Sequence, residues 1–513
     1  MRPVNQLFHN EDCTQFFWTQ TISDGTAGEA IDRYVDVMAE AGVTDFVLNT
    51  ASQCTLYESR VWDSFWTGYD PDGPDSQPYL KALPSAGIKA WRKGIGAMLA
   101  VHRQGIDYPA RVIQRCRHGR MAPWISLRMN DCHGNNNPDL PGHGSFWKNN
   151  PGFYRNPGGR SNQDRCLDYA HPEVRDHYMA IIGETLDRYD IDGLELDFMR
   201  EPYLFKPGQE REGALILAEW LRAVRKRVDA SASKRGHHIR LGVRVPSRPD
   251  VSSAWGLDAV AWAKEGLIDL LVPTPRWDTI EFDMPVRQWR EQLGASKIIL
   301  AGGLEVHYMP YYNSRLEGAL VVTPEQAMGA ALMALSEGAD AVYLFNYFQP
   351  MSWGLPVYLS TLKAMASRDE LKKRPRTVSL TYRDITAPGE RYKPTLPATG
   401  RELLFAMKAG PIPDSRWRAE LMLWLPRGKD RALPPLEAFM NGKPCEFGGA
   451  SPKKAGMLFV YEAKFNVPMS AFSEKGLQEI KVAGRGPGDL TIQGLNITFR
   501  PGADVESKPV AQN

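Results

Sequence analysis

The sequence contains no run of about 20 apolar residues, so it offers no membrane-spanning helix. It has no charge excess either. Its 62 basic residues stand against 60 acidic ones, for a formal net charge of +2, which removes the global electrostatic case for nucleic acid or an anionic membrane as partner. Six cysteines (Cys13, Cys54, Cys116, Cys132, Cys166, Cys445) are scattered without a CxxC pair, so no zinc ribbon or dithiol redox motif is indicated and free thiols are expected. Met1-Arg-Pro-Val-Asn-Gln lacks the apolar core of a signal peptide. The expectation is a cytoplasmic protein, or a periplasmic or secreted one whose signal has been trimmed. Asp131, His133 and His143 are conceivable metal ligands, but their spacing fits no standard zinc pattern and no His-x-His pair opens a strand. No metal and no cofactor is expected. The apolar part of the sixth strand candidate holds no lysine, which argues against a Schiff-base aldolase, and Gly302-Gly303 alone is too weak a signal for phosphate binding.

What is present suits a large soluble core: 43% hydrophobic and 24% charged residues in a chain of 513. That length accommodates an α/β barrel of about 250 residues enlarged by loops, with a second domain behind it. Eight short strand candidates alternate with helical stretches or long loops: 6–10, 45–49, 122–131, 189–201, 238–245, 268–273, 297–305 and 339–346. Helices are expected at 31–41, as a pair over 96–117, from 171 to 186, at 211–230 with Leu215, Leu217, Leu221 and Val224 inward, at 324–337 and at 355–368. Long aromatic and Gly/Pro-rich loops at 50–95 and 131–168 are candidates for function. The texture changes at Lys372-Lys-Arg-Pro-Arg. Beyond it, strands at 377–382, 403–407, 420–425, 457–465, 479–482 and 490–499 indicate an antiparallel sandwich, with a hairpin turn in Phe439-Met-Asn-Gly-Lys. The expected division is a (β/α)8 TIM barrel over 1–370, a β-sandwich over 371–505 and a polar tail over 506–513.

The fourth strand candidate, Tyr189-Asp-Ile-Asp-Gly-Leu-Glu-Leu-Asp-Phe-Met-Arg-Glu201, puts Glu195 and Asp197 on one face and Leu194, Leu196 and Phe198 on the other. Charged residues at alternate positions of a buried strand are costly unless that face lines a site. In such barrels the site is built at the carboxyl ends of the strands. The polar residues there are Asn10 and Asp12, Asn49, Arg128, Asn130 and Asp131, Glu195 and Asp197, Arg244, Thr274 and Arg276, Glu305 and His307, and Asn346.

Glycoside hydrolysis needs two carboxyl groups flanking the scissile bond. Asp197 and Glu305 are the favoured pair, on strands expected to face one another. Glu195, two residues deeper, is expected to be buried and paired with Arg128 or Arg244, with direct acid or nucleophile chemistry as its other reading. Substrate contacts are expected from Asp12, Asn49, Arg128, Asn130, Asp131, Arg200, Arg244, Arg276, Trp277, His307, Tyr308 and Asn346. The arginines suit a substrate with sulfate or carboxylate groups, or else pair with site carboxylates while a neutral sugar binds.

Asp192-Gly-Leu-Glu-Leu-Asp-Phe-Met-Arg200 resembles the Asp-Gly-x-x-x-Asp-[Phe/Tyr]-x-Arg signature of the family 10-like glycosyl hydrolases, as do Ser126-Leu-Arg-Met-Asn-Asp131 and Cys166-Leu-Asp-Tyr-Ala-His-Pro-Glu-Val-Arg175. The resemblance covers about residues 5–350 and implies a glycosidase barrel with its site near Asp197. The remaining readings are a carbohydrate-binding barrel without catalysis and a metal-dependent barrel hydrolase.

Overall fold

A computed structural model describes residues 5–22, 25–311, 320–427, 433–456, 458–474 and 476–502. Eight parallel strands form its centre: β1 (Gln6–Glu11), β2 (Asp45–Ala51), β3 (Ala122–Arg128), β4 (Gly193–Asp197), β5 (Arg240–Pro246), β6 (Leu270–Thr274), β7 (Ile299–Glu305) and β8 (Ala341–Phe345). They close in the order β1-β8-β7-β6-β5-β4-β3-β2. The expected (β/α)8 barrel is therefore present. Among the described residues no helix is long and apolar enough to cross a membrane.

The register decides which side chains meet. Ser126, Glu195 and Gly242 lie abreast on β3, β4 and β5, as do Arg128, Asp197 and Arg244 one pleat further on. Abreast residues of a parallel ladder share a face, and every second residue returns to it. The inward set packs Phe8, Val47, Trp124, Leu270, Val272, Ala301, Tyr343 and Phe345 together. The other set, Leu194, Leu196 and Phe198 among it, packs outward against Ile181, Ile182 and Leu186 of the helix Pro172–Arg188.

Trp124 fills the lower barrel because its neighbours leave room. A Cβ on Gly193 would stand 2.2 Å from the indole, so only glycine fits there. The indole N–H donates to Asp45 Oδ1 at 3.0 Å, the same oxygen that takes Arg240 Nη2 at 2.8 Å, and the Arg240 guanidinium lies 4.7 Å from the indole centroid. The buried indole N–H and the Asp45 carboxylate at this end are thus paired.

Two helices differ from expectation. The helix expected from Gly96 begins at Ser85 and runs to Arg103, followed by Tyr108–His118. Gly87, Gly94 and Gly96 mask it by lowering helix propensity. Tertiary packing outweighs that cost, since Trp18 lies where a Cβ on Gly94 would be, 2.0 Å away. In the helix Glu210–Arg235, Leu217, Leu221 and Val224 are buried as expected, but Leu215 is 75% exposed. At 100° per residue, a side chain two positions from Leu217 falls on the opposite face.

Behind the barrel lies an antiparallel sheet system. The strands Arg376–Ser379, Gly494–Pro501, Trp417–Pro426 and Leu458–Val467 pair in that order and continue through Lys443–Ala455 to Leu436–Met440, Leu477–Gly484 and Glu402–Lys408. Lys443–Ala455 joins the two leaflets, with its register shifting between Phe447 and Gly449. The expected turn is present, Asn441 at φ 49° and Gly442 at φ 79°. The strands flanking it were not anticipated, because Lys443-Pro-Cys-Glu-Phe-Gly-Gly-Ala-Ser-Pro-Lys-Lys454 is rich in residues of low strand propensity. The strand expected at 490–499 divides into Leu490–Ile492 and Gly494–Pro501. The tail expected at 506–513 lies outside the described residues. All six cysteines are free, as expected.

On the outer face of β1, Glu11 is fully buried and accepts a hydrogen bond from the Tyr34 hydroxyl at 2.6 Å, while its other oxygen has no partner. Burial pushes its pKa up to about 8. A raised folded pKa costs stability as pH climbs from the ordinary glutamate range through that value. Glu11→Gln, which keeps an acceptor for Tyr34, should raise Tm above pH 8 and change it little at pH 4. Thermal melts at the two pH values check this, and equal shifts at both would count against it.

Candidate active site

The upper barrel holds two polar groups, one above the other. In the lower, Glu195 Oε1 accepts from Ser126 Oγ at 2.7 Å, Tyr343 OH at 2.9 Å and Asn10 Nδ2 at 3.3 Å. Its Oε2 has no partner, and the residue is fully buried. Burial, followed by the nearby Asp197 charge, raises the Glu195 pKa to about 7, against the opposing pull of Arg244 and the two hydroxyls.

Asp197 differs in kind. Its Oδ2 takes Arg244 Nη1 at 2.7 Å, and its Oδ1 accepts the backbone N–H groups of Met199 at 3.0 Å and Arg200 at 3.1 Å. Both its oxygens are occupied. Asp197 and Arg244 have 0% side-chain exposure, so this is a fully buried ion pair. The structure thus reverses the expected pairing: Asp197, itself fully buried, holds the arginine that Glu195 was expected to hold. The cause is register, which places Asp197 and not Glu195 abreast of Arg244.

Glu305, at the end of β7, is also fully buried. Its Oε1 lies 3.0 Å from Val306 N and 3.0 Å from His307 Nδ1, and its Oε2 has no partner. The His307 ring also meets the Trp277 carbonyl at 3.2 Å. Strands β4 and β7 are separated by β5 and β6 in the closed order, so they are not diametrically opposed as expected. The residue that reaches Glu195 across the barrel is Tyr343 of β8, which was not anticipated. Its position in Ala341–Phe345 shares the inward parity, and that was the available signal.

The Arg244 guanidinium lies 3.9 Å from the Phe345 ring, and Arg200 stands 5.8 Å from the same ring. Phe345 is thus a neighbour of both groups, of the lower through Arg244 and of the upper through Arg200. In the upper group Arg128 donates to Asp131 Oδ2 at 2.7 Å and also to Asp12. His133 Nδ1 lies 2.6 Å from Asp131 Oδ1, and its Nε2 lies 2.6 Å from Arg200 Nη2. Since arginine only donates, Nε2 accepts and Nδ1–H donates to Asp131. Asp131 is held well below the usual carboxylate range, and Asp12 below it: burial opposes this, but His133 and Arg128 outweigh it at Asp131, and Arg128 and Arg200 at Asp12. These residues, with Trp18, Gln53, Phe65 and Trp91 from the flanking loops and helices, line a cavity of 360 Å3 above the ends of β1 to β4.

The remaining expected contacts are dispersed. Arg276 Nη2 holds both oxygens of Glu201, at 3.1 and 2.9 Å, and Trp277 lies 5.9 Å from the Arg200 guanidinium. Asn49 is buried with neither amide atom partnered, and Asn346 sits at φ 63° with a buried, unpartnered Oδ1. Two expected contacts are structural instead. Asn130 clamps loops through the Leu167 carbonyl and N–H, both at 3.0 Å, and the Tyr203 carbonyl at 3.3 Å. Tyr308 is buried against the second domain, its hydroxyl donating to Asn496 Oδ1 at 3.1 Å. His143 turns both ring nitrogens to carbonyl oxygens, of Leu140 and His133, each at 3.1 Å, so it does not converge with Asp131 and His133 on one point.

The fold and site define a (β/α)8-barrel protein with a charged, layered mouth and an antiparallel β-domain behind it. No family model matches the chain, so the family 10-like resemblance stands on its motif alone, and no curated protein matches it either. Similar solved structures include a maltogenic alpha-amylase from Thermotoga neapolitana, at 10% identity over 96% of this chain and 99% of that one with a TM-score of 0.38. An alpha-L-fucosidase from Paenibacillus thiaminolyticus matches at 11% identity, 94% and 96% coverage and a TM-score of 0.34. An alpha-galactosidase from Geobacillus stearothermophilus matches at 12% identity, 95% and 55% coverage and a TM-score of 0.37. These structural neighbours are glycoside hydrolases by name.

Removing one partner of a fully buried ion pair leaves the other charge uncompensated, at a cost of about 3–5 kcal/mol. Arg244→Met should lower stability in urea unfolding by that order, and Arg244→Met with Asp197→Asn by clearly less. Equal losses would show that the pairing is not what matters.

Proposed function

We propose that this chain is a glycoside hydrolase whose acid–base pair is Glu195 and Glu305. The observation that carries the reading is the contrast among three buried acids. Glu195 and Glu305 each commit one oxygen to protein donors and leave the other without a partner, whereas Asp197 has both oxygens in use. A reacting carboxyl group needs one oxygen held and one free. With a pKa raised to about 7, Glu195 suits the general acid that protonates the leaving oxygen. Glu305 is then the base or nucleophile. Asp197 acts by holding Arg244, whose charge faces both acids.

On this reading the ligand enters through the 360 Å3 cavity and displaces Arg200, which lies on the irregular segment after β4 between that cavity and Phe345.

The full burial of Glu195, Asp197 and Glu305 favours a second reading, a carbohydrate-binding barrel without turnover. Digestion of a glycan panel that includes neutral, uronic and sulfated polysaccharides separates the two. Hydrolysis of a panel member, reduced about 100-fold or more in kcat/KM by Glu195→Gln and by Glu305→Gln with folding retained, is the expected result. Binding with no cleavage of any member would support the second reading. The proton on Glu195 also sets a pH signature: kcat/KM should fall above about pH 7. Ser126→Ala removes a hydrogen bond that favours the carboxylate, so it should move that limb to higher pH. A limb unmoved in this variant would assign the titration to another group.

A further inference from the structure

We infer that the cavity above β1 to β4 is a subsite for the ring of a neutral pyranose, which excludes uronic and sulfated sugars from that position. This rests on the glycoside hydrolase reading of the layer below and narrows its substrate class.

The first argument is charge. Arg128 is bound by two carboxylates, Asp12 and Asp131, a group that carries a net negative charge. Both acids are ionised, since their pKa values are lowered. Arg200 offsets that charge. His133 accepts a hydrogen bond from Arg200 and so contributes none. Burial lowers the pKa of His143, the other histidine on the wall, against the pull of the two carbonyl oxygens that face its ring nitrogens. The two arginines of the lining are thus balanced in number by its two carboxylates, so an incoming sulfate or carboxylate would add uncompensated negative charge. A sugar hydroxyl needs no net charge. It donates to a carboxylate and accepts from a guanidinium, and this wall carries both side by side.

The second argument is shape. Trp18 and Trp91 stand edge to face, with centroids 5.6 Å apart, and both line the cavity. Both are partly exposed in a protein that buries most of its aromatics. Glycines hold them in place. A Cβ on Gly94 would stand 2.0 Å from the Trp18 ring, and one on Gly142 would stand 3.0 Å from Trp91. One apolar wall and one wall of mixed donors and acceptors match the two kinds of surface on a pyranose, its C–H face and its hydroxyl rim.

The third is unmet hydrogen bonding. Arg128 Nε, Arg200 Nε and Gln53 Oε1 are buried without a partner, and all three residues line this one cavity. Groups in that condition are costly unless a ligand or water completes them.

The test is calorimetric titration of the full chain with methyl glucoside, methyl galactoside, methyl mannoside and methyl fucoside, and with glucuronate and galacturonate. The expected result is saturable binding of at least one neutral glycoside, about tenfold or more tighter than either uronate. Trp18→Ala and Trp91→Ala should each weaken it about tenfold, and Trp91→Phe, which keeps a ring and controls for folding, should retain most of it. Asp12→Asn gives the cavity a net positive charge and should shift the preference toward uronates. Tighter binding of a uronate to the unaltered protein, no binding of any neutral glycoside, or indifference to both tryptophan substitutions would overturn the inference. Binding needs no turnover. A chain that binds methyl glycosides as described but cleaves no glycan would sink the hydrolase reading alone, while turnover with KM unmoved in the tryptophan variants would sink the subsite alone.

Discussion

Burial of the Arg244 charge is the constraint around which the barrel mouth is arranged. A guanidinium with no solvent contact requires a counter-charge within hydrogen-bond reach, and Asp197 provides it at 2.7 Å. That contact occupies Asp197, and the turn after β4 completes its shell through the backbone N–H groups of Met199 and Arg200. Since the aspartate cannot then be a free acid, any proton chemistry passes to its neighbour two residues deeper. Glu195 has no arginine partner, only hydroxyl and amide donors on one oxygen, and so a proton is favoured on it. One ion pair therefore decides which of the two acids has both oxygens committed and which keeps one without a partner.

The same constraint separates the site into two levels. Phe345 lies 3.9 Å from the Arg244 guanidinium and 5.8 Å from that of Arg200. The lower acids are fully buried, and the low dielectric of that burial favours a proton on Glu195. Asp12, Asp131, Arg128 and Arg200 instead line a cavity. The proposed recognition and the proposed chemistry therefore lie at different depths of one mouth.

Much of this was legible in the sequence, for a physical reason. Inward parity on a parallel strand is a strict period of two, so Glu195 and Asp197, Arg128, Arg244 and Glu305 are found by alternation once the strands are found. Partners are harder. Whether Arg244 meets Glu195 or Asp197 depends on a register between strands that no local pattern encodes, and the two candidates differ by a single pleat. Tyr343 escaped notice because an uncharged residue in an apolar strand looks like packing. Trp18 packs against Gly94, a helix glycine whose low propensity argues against the helix that carries it, and Trp91 packs against Gly142 in a loop. Asn130 and Tyr308 show the opposite failure. Polar residues at strand ends look like ligand contacts, but loops and a second domain have buried backbone and side-chain atoms to satisfy as well.

The second domain is tied to the site by more than apolar packing. Asp384, on the segment that follows the strand Arg376–Ser379, crosses to the barrel and accepts the backbone N–H groups of Arg276, Trp277 and Asp278 at 2.9, 2.7 and 2.8 Å. Those residues follow β6 and would otherwise form a free loop. Arg276 in turn holds Glu201, and the Trp277 carbonyl meets His307, the neighbour of Glu305. Three N–H groups on one carboxylate fix a backbone more firmly than side-chain contacts can, because they constrain consecutive peptide planes. Asp384 thereby links the second domain, through the β6 loop, to the arrangement around Glu305. That link accounts for the fusion of the two domains on terms that packing alone does not supply: the barrel mouth is completed by a residue that the barrel itself does not encode.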